Sequence, residues 1–138
     1  MSRRDDRCKA YEMVFSAEFH EDKAAYFELE RSLADDKLDW GFIRACYFGI
    51  YDRVTEIDSS IQRYSMGFTL ARIKKTDLAA LRLSIYEIQY SDTPPKVALN
   101  EAIELSKEYT GEESYRFVNG ILAKIMRVER RSDDNLEG

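Results

Sequence analysis

Two groups of residues in this sequence have side chains suited to gripping a phosphate and a base. Arg3, Arg4, Arg7 and Lys9 crowd the N-terminus, and Arg116 stands next to Phe117 towards the C-terminus. Cationic side chains neutralise phosphates, and an exposed aromatic ring beside them stacks on a splayed single-stranded base. Asp5, Asp6 and Glu12 lie within the first group and offset most of its charge. Over the whole chain 26 acids face 21 bases, a net charge of −5. Nucleic-acid binding therefore has to come from a local patch, not from a uniformly basic surface.

The inventory for catalysis is poor. His20, the one histidine, sits between acids in "EFHED" and reads as a surface residue. Cys8 and Cys46 form no C-x-x-C, and with His20 they would supply only three zinc ligands at unrelated spacings. Two such thiols in a cytoplasmic chain read as reduced and packed. Gly-rich phosphate loops, G-x-S-x-G and H-E-x-x-H are all missing. Acid pairs at Asp5-Asp6, Asp35-Asp36 and Asp133-Asp134 fall in expected loops or chain ends, as solvated charge. The residues point to no enzyme, no cofactor and no metal.

The elements that must carry these side chains are helical. The chain has 138 residues, 44% of them hydrophobic and 34% charged, a globular composition for one domain. Its longest apolar runs, such as Ala24 to Phe27, are far too short to span a membrane, and "MSRRDDRCKAY" lacks a signal peptide's apolar stretch. Cytoplasmic residence is the expectation. Cys8, Tyr11, Phe15 and Phe19 predict a first helix from Arg3 to about Phe19. A second, from Asp22 to about Ala34, carries Ala25, Leu29 and Leu33 on one side. After a loop at "ADDKLD", Asp39 caps a long segment that keeps its apolar rhythm to about Tyr64, where "SMGFT" and Gly67 break it.

Thr76 is positioned to cap the next helix, which has two apolar stripes, Leu78, Leu81, Ile85 and Ile88 beside Ala79, Leu83, Tyr86 and Tyr90. A helix apolar over so wide an arc is central to the core. Pro94 and Pro95 end it, and Pro95 suits the first turn of the next helix, which Gly111 closes. Thr110 and Glu113 have capping-box spacing for a last helix to about Arg130, and residues 131–138 read as a solvated tail. Asn119-Gly120 is a common hairpin dipeptide. The helical spacing of Phe117, Val118, Ile121, Leu122 and Ile125 continues through it. Gly120 is therefore expected to admit a neighbouring helix, with Asn119 hydrogen-bonding across the contact. The fold class is all-α, six to seven helices.

The stretch "KVALNEAIELSKEY" followed by "RFVNGIL", with "IDSSIQRYSMGFTLARIKKTDLAALR" before it, resembles the NusB family of transcription antitermination factors. The other context of this pattern is a domain of certain ribosomal RNA cytosine methyltransferases, whose catalytic part would follow where this chain stops. The resemblance implies two packed helical bundles over residues 1–130. It implies an RNA-binding adaptor that pairs with the ribosomal protein NusE and grips boxA single-stranded RNA, in a complex of RNA polymerase with NusA and NusG. By position it implies RNA contacts at Arg3, Arg4, Arg7, Phe15, Tyr64, Arg116 and Phe117, and partner contacts at Asp77 and Glu113. Asp5 and Asp6 interrupt the basic run, Cys8 replaces a usual Glu, and Phe15 replaces a usual Tyr. Two carboxylates so near phosphates oppose binding. The second reading is accordingly a protein-interaction module that acts through NusE, or through a homodimer, with little RNA affinity of its own.

Overall fold

A computed structural model describes the backbone of residues 2–34 and 37–137, with side chains through Val128. Asp35 and Asp36 of the expected loop, and the side chains of the expected tail with its Asp133-Asp134 pair, lie outside the described residues. The described residues form α1 (Arg3–Ala17), α2 (Lys23–Leu33), α3 (Trp40–Asp52), α4 (Val54–Tyr64), a single 3-10 turn at Leu70–Arg72, α5 (Lys75–Tyr90), α6 (Pro95–Tyr109) and α7 (Gly111–Glu137), with no strand among them. None of these helices is long and apolar enough to cross a membrane.

The apolar side chains divide into two cores. The first joins Ala10, Val14 and Ala17 of α1, Phe27 of α2 and Ile43, Tyr47 and Ile50 of α3. The second joins Ile57 and Ile61 of α4, Ala98 and Ala102 of α6, and Val118, Ile121, Leu122 and Ile125 of α7. Helix α5 serves both. Ala79, Ala80 and Leu83 face the first core, and Leu78, Leu81, Ile85 and Ile88 face the second. The two stripes read from the sequence are thus two interfaces.

Local signals set most boundaries. Asp22 accepts from the Ala25 N–H at 2.9 Å and Asp39 from the Phe42 N–H at 3.1 Å, so each caps its helix. Met66 and Gly67 take positive φ, and Gly111 closes α6 at φ +82°. Pro95 occupies the first turn of α6. Other expectations fail. The long segment from Asp39 is two helices, because Arg53 leaves helical geometry at φ −120°, ψ 19°. Its guanidinium lies 4.7 Å from the Tyr90 ring centroid, and the break redirects the chain from the first core to the second. Neither threonine caps as expected. The Thr76 carbonyl accepts from the Tyr11 hydroxyl, and the Thr110 hydroxyl donates to the Ser106 carbonyl. On α2 the predicted stripe faces water, since Leu29 and Leu33 are exposed and the core takes Tyr26 and Phe27. Helix α7 continues past Arg130 to Glu137, a stretch free of Pro and Gly.

The glycine of close approach is Gly49, not Gly120. A Cβ at Gly49 would fall 2.2 Å from Tyr86 Cε1, whereas one at Gly120 would meet nothing within 4 Å. Among the described residues Asn119 makes no bridge either: its buried Oδ1 has no partner there. Gly49→Ala should therefore cost about 1–3 kcal/mol by overpacking, which outweighs its gain in helix propensity. Gly120→Ala should instead gain about 1 kcal/mol. Urea denaturation of both variants checks the opposite signs.

A buried cluster ties the bundles together on α5. Arg82 reaches Asp58 of α4 through two bonds, at 2.9 and 2.8 Å, and also bonds Glu18 after α1. Lys75 lies 3.5 Å from Glu18. Burial alone would raise the Glu18 carboxyl, but Arg82 and Lys75 outweigh it, so Glu18 titrates below its ordinary 4.5. A carboxyl lowered by folding stabilises fully above its unfolded value and loses that contribution as pH falls. Glu18→Gln should therefore destabilise at about pH 7, and its gap from wild type should narrow by about pH 3. Urea midpoints at the two values measure the gap.

Candidate functional site

The N-terminal basic run is absorbed by the fold. Ser2 and Asp5 form the capping box that starts α1, the Ser2 hydroxyl accepting from the Asp5 N–H at 3.2 Å and the Ser2 N–H donating to Asp5 Oδ2 at 3.0 Å. Asp6, only 4% exposed, accepts from the Asp39 N–H at 3.0 Å. Arg3 lies 3.3 Å from Asp6 and 3.0 Å from Asp39, with its guanidinium 4.2 Å from the Phe42 ring centroid. Arg7 is buried. Its Nε donates to both oxygens of Glu87 at 3.0 and 2.8 Å. Arg4 lies 3.5 Å from Glu101, and Lys9 lies 3.3 Å from Glu30.

The aromatic residues are distributed over both bundles. Phe15 is half-buried and packs edge-on to exposed Phe19, with ring centroids 5.6 Å apart. His20 is exposed and stacks on Tyr26 at 4.4 Å. In the second bundle Phe117 of α7 is half-buried and meets the exposed Phe68 ring edge-on at 5.5 Å. Beside it Arg116 projects into solvent, and among the described residues it pairs with Glu112 of its own helix at 3.4 Å. Phe68 and Phe117 border a cavity of about 230 Å³ that Arg72, Lys74, Asp77, Glu113 and Ser114 also line. Asp77 is buried and its Oδ1 has no hydrogen-bond partner among the described residues. Burial pushes the Asp77 carboxyl up, against the pull of the Ser114 hydroxyl and Lys74. Further along α7, Tyr64 shares a depression with Lys124, Arg127 and Val128.

The family model described as the NusB family matches residues 4–127, nearly the whole chain. The chain belongs to the NusB family. It is 37% identical over 129 residues to a Staphylococcus aureus protein named transcription antitermination protein NusB, a match that takes in 92% of this chain and 100% of the relative. The T. maritima NusB structure superposes with a TM-score of 0.81 at 34% identity, over 92% of each chain. A structure of the antitermination factors NusB and NusE with double-stranded RNA shares the fold, with a TM-score of 0.78 at 22% identity over 91% of this chain and 96% of that one.

The NusB-like fold brings four of the expected site residues together. Asp77, Glu113 and Phe117 line one cavity, and Arg116 adjoins it on α7. Tyr64 lies by the same helix. Arg3, Arg4 and Arg7 sit apart from these on α1, held by acids of the loop before α3 and of α5 and α6, while Phe15 is near the end of α1. The sequence reading missed Phe68, Arg72, Lys74, Lys124 and Arg127. The basic cluster Arg72, Lys74 and Lys75 was visible, and so was an aromatic directly after the helix-breaking Gly67. The burial of Glu87 was missed as well. Burial raises the Glu87 carboxyl in spite of the Arg7 guanidinium beside it, and its setting between Tyr86 and Ile88 was the available signal.

A buried pair broken on one side leaves an uncompensated charge. Arg7→Ala should therefore lose about 3–5 kcal/mol of stability. Arg4→Ala, at an exposed pair, should lose less than about 1 kcal/mol. Thermal melts of the two variants measure the difference.

Proposed function

We propose that this protein is an RNA-binding adaptor in transcription antitermination, pairing with the ribosomal protein NusE and holding boxA-type single-stranded RNA in the cytoplasm. Membership of the NusB family carries this reading, and the exposed Arg116 beside the half-buried Phe117 supports it chemically. In this reading Arg116 meets a phosphate, and Phe117 and Tyr64 offer faces to bases. Phe15 and the solvent-facing parts of Arg3 and Arg4 extend the contact. Arg7 takes no part, because Glu87 holds it inside. Asp77 and Glu113 face the ribosomal protein, and the pair joins RNA polymerase with NusA and NusG. A homodimer would be an alternative, idle form of the same surface.

Arg116→Glu and Phe117→Ala should each weaken binding of boxA-containing RNA by about ten-fold, as stacking on one base and one phosphate contact warrant. Arg116→Glu should melt close to wild type, and Phe117→Ala, which loses packing against the second core, should melt lower but stay folded at the assay temperature. Gel shifts with and without NusE measure this, and unchanged binding in both variants would remove the site. Affinity should also fall steeply with salt, since phosphate contacts release counterions. A shallow dependence would favour the protein-interaction module instead.

A further inference from the structure

The cations of the two bundles are treated differently by the fold. Those of α1 face acids: Arg3 lies by Asp6 and Asp39, Arg4 by Glu101, Arg7 by Glu87 and Lys9 by Glu30. In the second bundle Arg63, Arg72, Lys74, Lys124 and Arg127 form no salt bridge within the described residues, and all but Lys124 are exposed. Arg72 and Lys74 line the Phe68–Phe117 cavity, and Lys124 and Arg127 line the depression beside Tyr64. Arg63 precedes Tyr64 at the end of α4.

Helix α7 joins the two places. At about 100° per residue, Arg116, Phe117, Gly120, Lys124 and Arg127 fall on one flank spanning about 100°. Val118, Ile121, Leu122 and Ile125 occupy the other side, in the second core. Phe117 and Lys124 are about 10 Å apart along the axis, at about 1.5 Å per residue. Between them Gly120 is exposed, with open space where a side chain would stand. A glycine inside a helix costs about 1 kcal/mol relative to Ala, and no neighbour within this chain calls for one here. Its effect is to leave bare backbone between an aromatic ring and two cations.

We infer that single-stranded RNA crosses α7 over Gly120, from the Phe68–Phe117 cavity to Tyr64, and that Lys124 and Arg127 carry phosphate contacts there. The inference rests on the functional reading above and extends its site. The missing Cβ lets the strand lie against the helix, Phe117 and Tyr64 stack bases at either end, and Lys124 and Arg127 neutralise the backbone between. RNA is the occupant because the flank combines Lys124 and Arg127, which form no salt bridge within the described residues, with separated aromatic faces, the pairing that tracks a single strand. Glu113 stands on the same flank one turn before Arg116 and Phe117, and Asp77 lines the cavity with it, so a phosphate is disfavoured at that end and the backbone runs along α7 away from it.

The test compares three variants with wild type, as full chains bound to NusE, using fluorescence anisotropy of a labelled boxA-type single-stranded RNA over a salt series. Lys124→Ala with Arg127→Ala should lower affinity by about ten-fold or more and flatten the salt slope by about 0.7 for each lost contact. Arg3→Ala with Arg4→Ala should flatten it less. Gly120→Gln should bind RNA several-fold more weakly while melting at a higher temperature than wild type, which separates obstruction from unfolding. RNA binding by wild type that neither the α7 pair nor Gly120→Gln alters would overturn the inference and leave the functional reading standing. Loss of NusE binding by the α7 variants, with RNA affinity intact, would also overturn it by making the flank a protein surface. No RNA binding by wild type would overturn both.

Discussion

The structure depends on α5 being buried on two sides at once. A helix that serves two cores has little surface left for water, so its apolar positions must cover most of its circumference, as Leu78 to Ile88 do. The helix nevertheless carries the buried charges Arg82 and Glu87. A buried charge is tolerated only with a partner and satisfied hydrogen bonds. Those needs recruit Arg7 from α1 to Glu87 and bring Glu18 and Asp58 to Arg82. The same demand that fills the two cores thus also fixes how α1 and α4 lie against α5. Ion pairs of this kind stabilise less than apolar packing would, but they are specific about which groups meet.

This arrangement bears on what the N-terminus can offer a ligand. Arg7 is withdrawn by Glu87, and Arg3 is shared between Asp6, Asp39 and the Phe42 ring. Asp5 and Asp6, which in the sequence look like obstacles to phosphate binding, have structural duties in a capping box and against the Asp39 N–H. The basic run is therefore a tether for α1 more than an open electrostatic surface.

What the sequence made legible was whatever depends on local periodicity and local breakers. The two stripes of α5, the helix start at Asp22, the cap at Asp39, the turn at Gly67 and the proline start of α6 all follow from spacing within a few residues. What it hid depends on which partner stands opposite. Leu29 and Leu33 have perfect helical spacing, yet the first core takes Tyr26 and Phe27 instead. The break at Arg53 has no glycine or proline to announce it, because the handover between cores demands it. Gly120 was misread for the same reason. Only the placement of Tyr86 against α3 shows that Gly49 is the crowded one and Gly120 the open one. At the candidate site, the Arg116-Phe117 pair was readable, whereas the cavity that Phe68, Arg72 and Lys74 form with it was assembled by elements distant in sequence.

Net charge conceals this division. A chain of net charge −5 can still present a cationic surface if its acids are spent on cations elsewhere. Many are, since Glu18, Asp58, Glu87 and Glu101 serve the joints between helices. Cations whose acids are not beside them then determine the local field, and screening limits the reach of more distant acids to about 8–10 Å. Lys124 and Arg127 gain their significance from that local balance and from the bare backbone at Gly120. Helix α7 gives one face to the second core and keeps the other unencumbered, which is the condition for a strand to lie along it.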